Sequence, residues 1–333
     1  MSTIGQIQGG RFAHSGSVRS RIPEQSHTSG MDPQWQPTVG LLTATPEEFA
    51  AMRAFLDSVV ELRVAEDPAT YVLGALPSWD CGRRHNVVLT LLGSTANSAA
   101  ANGCANLARS FPTVELTIMV GIAAGIPNPV RHEQHVRRGD IVVATRGVVD
   151  YDHVRVVGGD TELRRAFSLP SPRLVRCADM LQADELVGDR RPWENLLDLS
   201  VRPELAKYSR PPTRSDILLD SSGARLRHPS RSRSGHREGF PKVHYGSIGS
   251  ADRSLRDVAV RDELAKRYGF LAVEMEGSGI GSSSTLNGLE WFVVRGISDY
   301  GDTHRDHAWR RYAALAAAAY VRSLLGKCTP IRL

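Results

Sequence analysis

Short apolar runs of strand length alternate with helix-like segments along this chain, and that alternation restricts its fold more than any other feature. The apolar runs are Thr38–Thr43, Asn86–Leu92, Leu116–Val120, Ile141–Ala144, Phe270–Glu274 and Trp291–Val294. Helical patterns fall between or after them, at Pro46 and beyond, over Ser98–Leu107 and over Trp309–Leu325. The alternation predicts a single-domain α/β fold with a mostly parallel or mixed central sheet, flanked by helices on both faces.

The two ends of the domain and one long internal segment depart from this pattern. Residues 1–37 are rich in Gly, Ser, Gln and Arg and have no hydrophobic period, so we expect a disordered leader, with Met31 as a possible natural start. The catalytic domain is placed over residues 38–330. Within it, residues 158–242 are rich in Pro, Ser and Arg, and only Ser171–Leu181 has a clear helical pattern. We interpret this segment as an irregular insertion that serves as a substrate lid, a partner surface or both.

Composition narrows the class of protein. No apolar run is long enough to span a bilayer, the start lacks a secretion signal, and four scattered cysteines suggest neither a disulfide framework nor a zinc site. We therefore expect a cytoplasmic protein without a membrane partner. The net charge of +5 is concentrated in Arg225, Arg227, Arg231, Arg233, Arg237 and Lys242. A nucleic-acid partner is an alternative for this stretch, but no aromatic residues interleave with the arginines to stack on bases.

The sharpest local motif is Val273-Glu-Met-Glu276, with two carboxylates at the end of an apolar run. In a strand both Glu side chains would point to one face, and carboxylates at a strand's carboxyl end can bind vicinal hydroxyls. A helix N-terminus decorated with acids is the structural alternative. The run Val293–Asp299 likewise delivers Ser298 and Asp299 to a strand end, where an acid can donate or accept protons.

Two weaker motifs accompany these acids. Gly121-Ile-Ala-Ala-Gly125 is interpreted as a small-residue turn that lets the backbone approach a flat ligand. Thr43-Ala-Thr-Pro-Glu-Glu48 sets two carboxylates in a first helical turn, where acids are common for dipole reasons alone.

In this order, the four motifs resemble the nucleoside phosphorylase and nucleosidase superfamily, including the methylthioadenosine/adenosylhomocysteine nucleosidases. The pattern is most similar to the effector-type adenine-nucleotide nucleosidases of immune systems. Further matching segments are Thr45–Ala51, Met119–Pro127, Arg138–Val143, Val149–Asp152, Val243–Gly249 and Arg295–Asp302.

The resemblance implies a role for each acid. Asp299 would protonate the purine at N7, and Glu48 would position and deprotonate the attacking water. Glu276 would hold the ribose hydroxyls while Met275 packs beneath the sugar. Such roles fit an oxocarbenium-like transition state, and neither a metal nor a cofactor is expected. The remaining candidate substrate-binding residues are Glu274, Ser94, Ala123, Ala124, Gly125, Ser298, His244 and Arg253.

The resemblance also bears on the reaction and on the substrate. Phosphorylases of the superfamily place a Gly-Asp-Pro turn and an Arg where this chain has Thr45–Glu48, which favours water as the nucleophile. The arginine-rich stretch suits a triphosphate, so we expect hydrolysis of ATP or another adenine nucleotide to adenine and a ribose phosphate. Alternatives are a methylthioadenosine/adenosylhomocysteine nucleosidase, a purine nucleoside phosphorylase or a non-catalytic nucleotide sensor. Family members usually form homo-oligomers, and an activating partner protein is possible.

Overall fold

The computed structural model describes residues 36–331 except 165–168, 189, 200–201 and 305–306. The predicted leader lies outside the described residues apart from its last two positions. The strands are β1 Val39–Thr43, β2 Asp57–Arg63, β3 Thr70–Pro77, β4 Arg84–Leu91, β5 Leu116–Gly125, β6 Ile141–Val143, β7 Val148–Asp150, β8 Val154–Val157, β9 Asp160–Leu163, β10 Leu218–Leu219, β11 Arg225–Leu226, β12 Val243–Tyr245, β13 Ser247–Ser250, β14 Phe270–Glu274 and β15 Glu290–Asp299. The α-helices are α1 Pro46–Arg53, α2 Asn97–Ser110, α3 Pro172–Gly188, α4 Pro192–Asn195, α5 Arg231–Ser234, α6 Val258–Tyr268, α7 Gly277–Leu286 and α8 Arg310–Leu325.

Within these described ranges, eleven strands form one mixed sheet, and short 3₁₀ turns cover His132–Gln134, Pro203–Tyr208 and Thr213–Ser215. Its centre runs in the order β4, β1, β5 and β15, with each neighbouring pair parallel. Antiparallel pairs join β2 to β3, β3 to β4 and β6 to β15. The central strands β1 and β15 have no exposed face, as expected for a sheet covered on both sides. The predicted α/β architecture is therefore confirmed.

Helices cover both faces of this sheet. The alanine-rich α8 packs with α1 and α3 on one face, where Met52, Leu174 and Leu315 belong to the same apolar core. On the other face, α2 and α7 pack together, and Leu107 and Ile280 lie in a second core. No helix of the described chain is long and apolar enough to cross a membrane.

The segment over residues 158–242 is less irregular than its composition suggested. Leu174 and Leu181 of α3, Trp193 of α4 and Leu205 are buried in the core beside α8. Part of the segment therefore stabilises the sheet's outer layer and is not a detached lid. The sequence did not predict this packing, because Pro and Arg residues interrupt the hydrophobic periodicity of the segment.

Two further expectations are corrected. Gly121–Gly125 is not a turn, because β5 continues through it while pairing with β15 on one side and with β14 on the other. Cys177 of α3 and Cys328, expected to be unpaired, form a disulfide with a Cα–Cα distance of 5.9 Å. Sequence spacing could not reveal this pair, because 151 residues separate the two cysteines.

Candidate active site

A cavity of about 170 Å³ opens where β1, β5 and β15 end. Ligands of open α/β sheets commonly bind at this edge, since loops and helix N-termini converge there. The lining residues are Ala44, Thr45, Glu48, Thr95, Ile122, Ala123, Ala124, Tyr151, Arg253, Ser254, Leu255, Val273, Glu274, Met275, Glu276, Ser298, Asp299 and Arg310. Three of the predicted acids, Glu48, Glu276 and Asp299, thus share one cavity although more than 200 positions separate Glu48 from the other two.

Glu48 is held rigidly at the start of α1. Its Oε2 accepts hydrogen bonds from the backbone N–H groups of Ala44 and Thr45, both at 2.8 Å, and Oε1 accepts one from Ile122 at 2.8 Å. The side chain therefore takes part in capping the helix N-terminus, a structural role different from the dipole effect that the sequence suggested. Because each carboxylate oxygen can accept about two hydrogen bonds, Oε1 keeps a lone pair for a further donor. A fixed acceptor in a cavity is suited to orienting a water molecule.

The Glu-Met-Glu motif lies at the junction of β14 and α7. Glu274 Oε2 accepts from the backbone N–H groups of Glu276 at 3.0 Å and Gly277 at 2.9 Å, and Oε1 also bonds Gly277 at 3.0 Å. Glu276 is the residue directly before the helix and is 4 % exposed. The first acid therefore closes the helix N-terminus, whereas the second is directed to the cavity.

Arg295 of β15 pairs with both acids of the Glu-Met-Glu motif. Its guanidinium is completely buried, forms an ion pair with Glu274 and lies 3.1 Å from Glu276 Oε2. A Cβ on Gly121 would overlap Arg295 Nη1 and lie 2.6 Å from Glu48 Oε1, so Arg295 and Glu48 meet over that glycine. Burial raises the pKa of Glu276 to about 7, Arg295 opposes this shift, and the negative charges of Glu274 and Glu48 add to it.

Asp299 ends β15 beside an irregularity in the pairing with β5, between Ile297 and Asp299. Its Oδ2 accepts a hydrogen bond of 2.6 Å from the Ser298 hydroxyl, and its Oδ1 accepts one of 2.9 Å from the Gly301 N–H. These bonds orient a half-buried carboxyl group at the cavity wall. Asp299 does not cap the final helix, because α8 begins at Arg310.

Nine of the predicted site residues line this cavity: Asp299, Glu48, Glu276, Met275, Glu274, Ala123, Ala124, Ser298 and Arg253. Arg253 lies on the rim, paired with Asp152 at 2.9 Å and stacked over the Tyr151 ring at 5.3 Å.

Three predicted residues lie elsewhere. Ser94 is exposed and lines a neighbouring cavity of about 630 Å³, whereas the next residue, Thr95, faces the acids. Gly125 packs against Ile297 and Val136. His244 is buried and contacts Asp140 at 3.0 Å, because β12 lies at the far side of β6 from β15.

The arginine-rich stretch does not reach the cavity either. None of its six basic side chains is among the lining residues. Arg231 pairs with Glu238 at 3.0 Å, Arg237 with Glu194, and Lys242 donates to the Ser234 carbonyl at 2.8 Å. The expectation that the basic residues of this stretch bind a triphosphate at the site is therefore wrong.

Five polar or aromatic residues line the cavity although the sequence did not indicate them as site residues: Thr45, Thr95, Tyr151, Ser254 and Arg310. Arg295, which is buried against Glu274 and Glu276, was not predicted either. Within the described residues, Arg310 Nε and the Nε and Nη1 atoms of Arg295 are buried without a hydrogen-bond partner. Buried polar atoms are rarely left unpaired, so Arg310, which lines the cavity, is available to a polar ligand. A charged residue inside the apolar Val293–Ile297 run was the available signal for Arg295.

Several known proteins are similar to most of this chain. A nucleotide-binding leucine-rich repeat-like protein of Hyaloscypha variabilis is 29% identical over 88% of this chain, which spans 29% of that protein's length. A 5'-methylthioadenosine/S-adenosylhomocysteine nucleosidase of Mycobacterium bovis is 26% identical, covering 86% of this chain and 95% of the relative. The ATP nucleosidase Cap17 of Escherichia coli is 24% identical over 85% of this chain, which spans 50% of Cap17.

Solved structures support the same fold. The 5'-methylthioadenosine/S-adenosylhomocysteine nucleosidase of Neisseria meningitidis, in complex with methylthio-immucillin-A, superposes with a TM-score of 0.58 at 18% identity, covering 86% of this chain and 98% of that one. A family model described as the phosphorylase superfamily matches residues 38–325. The chain therefore belongs to the phosphorylase superfamily.

Proposed function

We propose that this protein hydrolyses the N-glycosidic bond of an adenine nucleotide, with ATP as the preferred substrate. The observation that carries the proposal is the single cavity that holds Glu48, Glu276 and Asp299 together. Cleavage of this bond needs an acid at the leaving base, an acceptor for the ribose hydroxyls and a placed nucleophile.

Each acid suits one of these tasks. Asp299 donates a proton to N7 of the purine, so the base leaves with the electron pair of the broken C1'–N9 bond. Glu48 accepts a proton from the water whose oxygen forms the new bond to C1', and the products are adenine and a ribose phosphate. Glu276 accepts hydrogen bonds from the ribose hydroxyls, with Met275 against the sugar. Glu274 has its oxygens committed to backbone amides and Arg295, so it is a positioning residue.

Two guanidinium groups of the cavity favour a phosphorylated substrate. Arg310 is the first residue of α8 and has a buried Nε without a partner among the described residues, and Arg253 lies on the rim. Guanidinium groups recognise phosphate through paired, charge-assisted hydrogen bonds. The likeness to Cap17, an ATP nucleosidase, supports the same substrate.

A methylthioadenosine/adenosylhomocysteine nucleosidase is the second candidate, favoured by the mycobacterial relative that this chain covers almost completely. Its substrates carry no phosphate, so Arg310 separates the two candidates. We also propose that the enzyme is cytoplasmic and forms homo-oligomers. Regulation by an activating partner protein is compatible with this proposal.

The test compares kcat/KM for ATP, AMP, adenosine and methylthioadenosine in the wild type and in Arg310→Gln. We expect ATP to be the best substrate and Arg310→Gln to lower kcat/KM for ATP at least tenfold, since a hydrogen bond to a charged group contributes about 1.5–3 kcal/mol. Activity on adenosine should change by no more than about twofold.

Arg256→Gln is the matched control, because Arg256 is exposed on the same segment as Arg253 and does not line the cavity. If the wild type preferred methylthioadenosine to ATP, the nucleotide assignment would be wrong. The protein would then be assigned as a methylthioadenosine/adenosylhomocysteine nucleosidase.

A further inference from the structure

A second cluster of chemically active side chains lies away from the catalytic cavity. Asp140 precedes β6, His244 lies on β12, and His236 follows α5 in the segment over residues 158–242. All three are buried, at 2 %, 5 % and 7 % exposure. None lines the cavity that holds Asp299.

The three side chains converge on one point. Asp140 Oδ2 lies 2.8 Å from His236 Nε2 and 3.0 Å from His244 Nε2, and one ligand atom from each residue falls within 4.8 Å of the others. A tetrahedral zinc ion with bonds of about 2.0–2.2 Å separates its ligand atoms by roughly 3.3 Å. The distances from Asp140 Oδ2 to the two imidazole nitrogens would lengthen by a few tenths of an ångström to admit the ion.

The hydrogen bonds of His236 point to a cation at the same place. Ser234 donates its hydroxyl proton to the Ser230 carbonyl at 3.0 Å, and Ser234 Oγ lies 2.8 Å from His236 Nδ1. Nδ1 is then the donor to Ser234, and the Nε2 lone pair of the neutral ring faces the Asp140 carboxylate. Two electron-rich atoms at 2.8 Å require a cation, either a proton on the ring or a metal ion.

The surroundings resemble the outer contacts of metal sites. Metal-binding imidazoles usually use their second nitrogen in a hydrogen bond, as His236 does with Ser234, and ligand carboxylates are themselves hydrogen-bonded. Asp140 accepts from the backbone N–H of Lys242 at 3.0 Å through Oδ1 and from that of Arg137 at 2.8 Å through Oδ2. The nearby Lys242 ammonium is directed to the carbonyl oxygens of Glu133 and Ser234.

We propose that Asp140, His236 and His244 form a zinc site, with water as the fourth ligand. Two imidazoles and one carboxylate suit Zn²⁺, whereas Mg²⁺ prefers oxygen ligands alone. The ion would clamp the segment that carries His236 to the sheet. It would also stiffen β15, because Asp140 and Gly139 exchange backbone hydrogen bonds of 2.8 and 2.7 Å with Ile297, two residues before Asp299.

The test is calorimetric titration of chelator-treated full-length protein with Zn²⁺, independent of any enzyme assay. We expect one equivalent bound with a Kd below about 1 µM, and at least a tenfold weaker Kd for His236→Asn and for His244→Asn. Titration with Co²⁺ should give the visible absorption of a tetrahedral nitrogen and oxygen site, lost in both variants.

His153→Asn is the control, since His153 is exposed and lies outside the cluster. Far-UV circular dichroism checks that each variant is folded. Absence of Zn²⁺ binding by the wild type would show that the cluster holds only protons. Binding that persists in a folded double variant His236→Asn/His244→Asn would place the ion elsewhere; both results overturn the proposal.

Discussion

At the scale of single residues, the cavity concentrates charge on buried side chains. Arg295 is fully buried between Glu274 and Glu276, and Glu48 faces the same guanidinium. Removing one partner of a buried ion pair leaves an uncompensated charge, so these residues depend on one another. Burial raises the pKa of Glu276, the acid expected to contact ribose, and these neighbouring charges modify that shift.

We predict that ionisation of the buried Glu276 carboxyl group lowers the free energy of unfolding as pH rises. Its pKa in the folded protein is about 7 against an ordinary value of 4.5, mainly because it is buried. Between these values the folded state holds a proton that the unfolded chain has lost. The free energy of unfolding should therefore fall as pH increases through this window, by about 3 kcal/mol in full.

Urea unfolding of the wild type and Glu276→Gln at pH 4.5, 5.5, 6.5 and 7.5 measures this contribution. The variant should show a smaller fall across the window, whereas Glu263→Gln on the exposed face of α6 should follow the wild type. Parallel pH profiles for the wild type and Glu276→Gln would refute the shift.

The sequence predicted the acids of the site better than its arginines. Glu48, Glu276 and Asp299 each follow or flank a strand of clear pattern, and strand ends meet at one sheet edge. Arg310 and Tyr151 come to the cavity through tertiary packing of α8 and of the turn after β7, which no local pattern encodes. His244 was predicted to bind substrate, but its strand β12 lies on the far side of β6 from β15, and no local pattern encodes that strand order.

At the scale of elements, contact between β15 and α8 positions the end of the strand that carries Asp299. A Cβ on Gly296 would overlap the backbone carbonyl oxygen of Ala313 and lie 2.9 Å from Ala313 Cα. The close approach of α8 to β15 therefore depends on this glycine. The sequence indicated both elements but contained no signal for their distance.

We predict that Gly296→Ala destabilises the protein by about 3 kcal/mol or more, because the clash involves two backbones that cannot rotate away. Chemical denaturation monitored by circular dichroism measures the loss. Gly281→Ala is the control: its Cβ would lie 3.4 Å from the Trp291 ring, an ordinary contact, and alanine favours the α7 helix. Equal stability of Gly296→Ala and the wild type would contradict the packing described.

At the scale of the whole molecule, sequence periodicity predicted the central sheet but not its edges. Strands β1 and β15 are buried along almost their whole length, whereas β2 is exposed at five of its seven positions and was not expected. The segment over residues 158–242 was harder still, because its core residues contact α8, far along the chain.

We expect water to attack the sugar in the cavity of Glu48, Glu276 and Asp299. The most direct measurement incubates the protein with ATP in phosphate-free buffer made with ¹⁸O-labelled water, followed by mass spectrometry of both products. We predict free adenine and one ¹⁸O atom in the ribose triphosphate.

Glu48→Gln and Asp299→Asn should each slow adenine release at least a hundredfold, as expected for loss of a catalytic acid or base, while Glu47→Gln should retain activity. Adenine release that requires added phosphate and yields an unlabelled sugar 1-phosphate would contradict the claim and identify the protein as a phosphorylase.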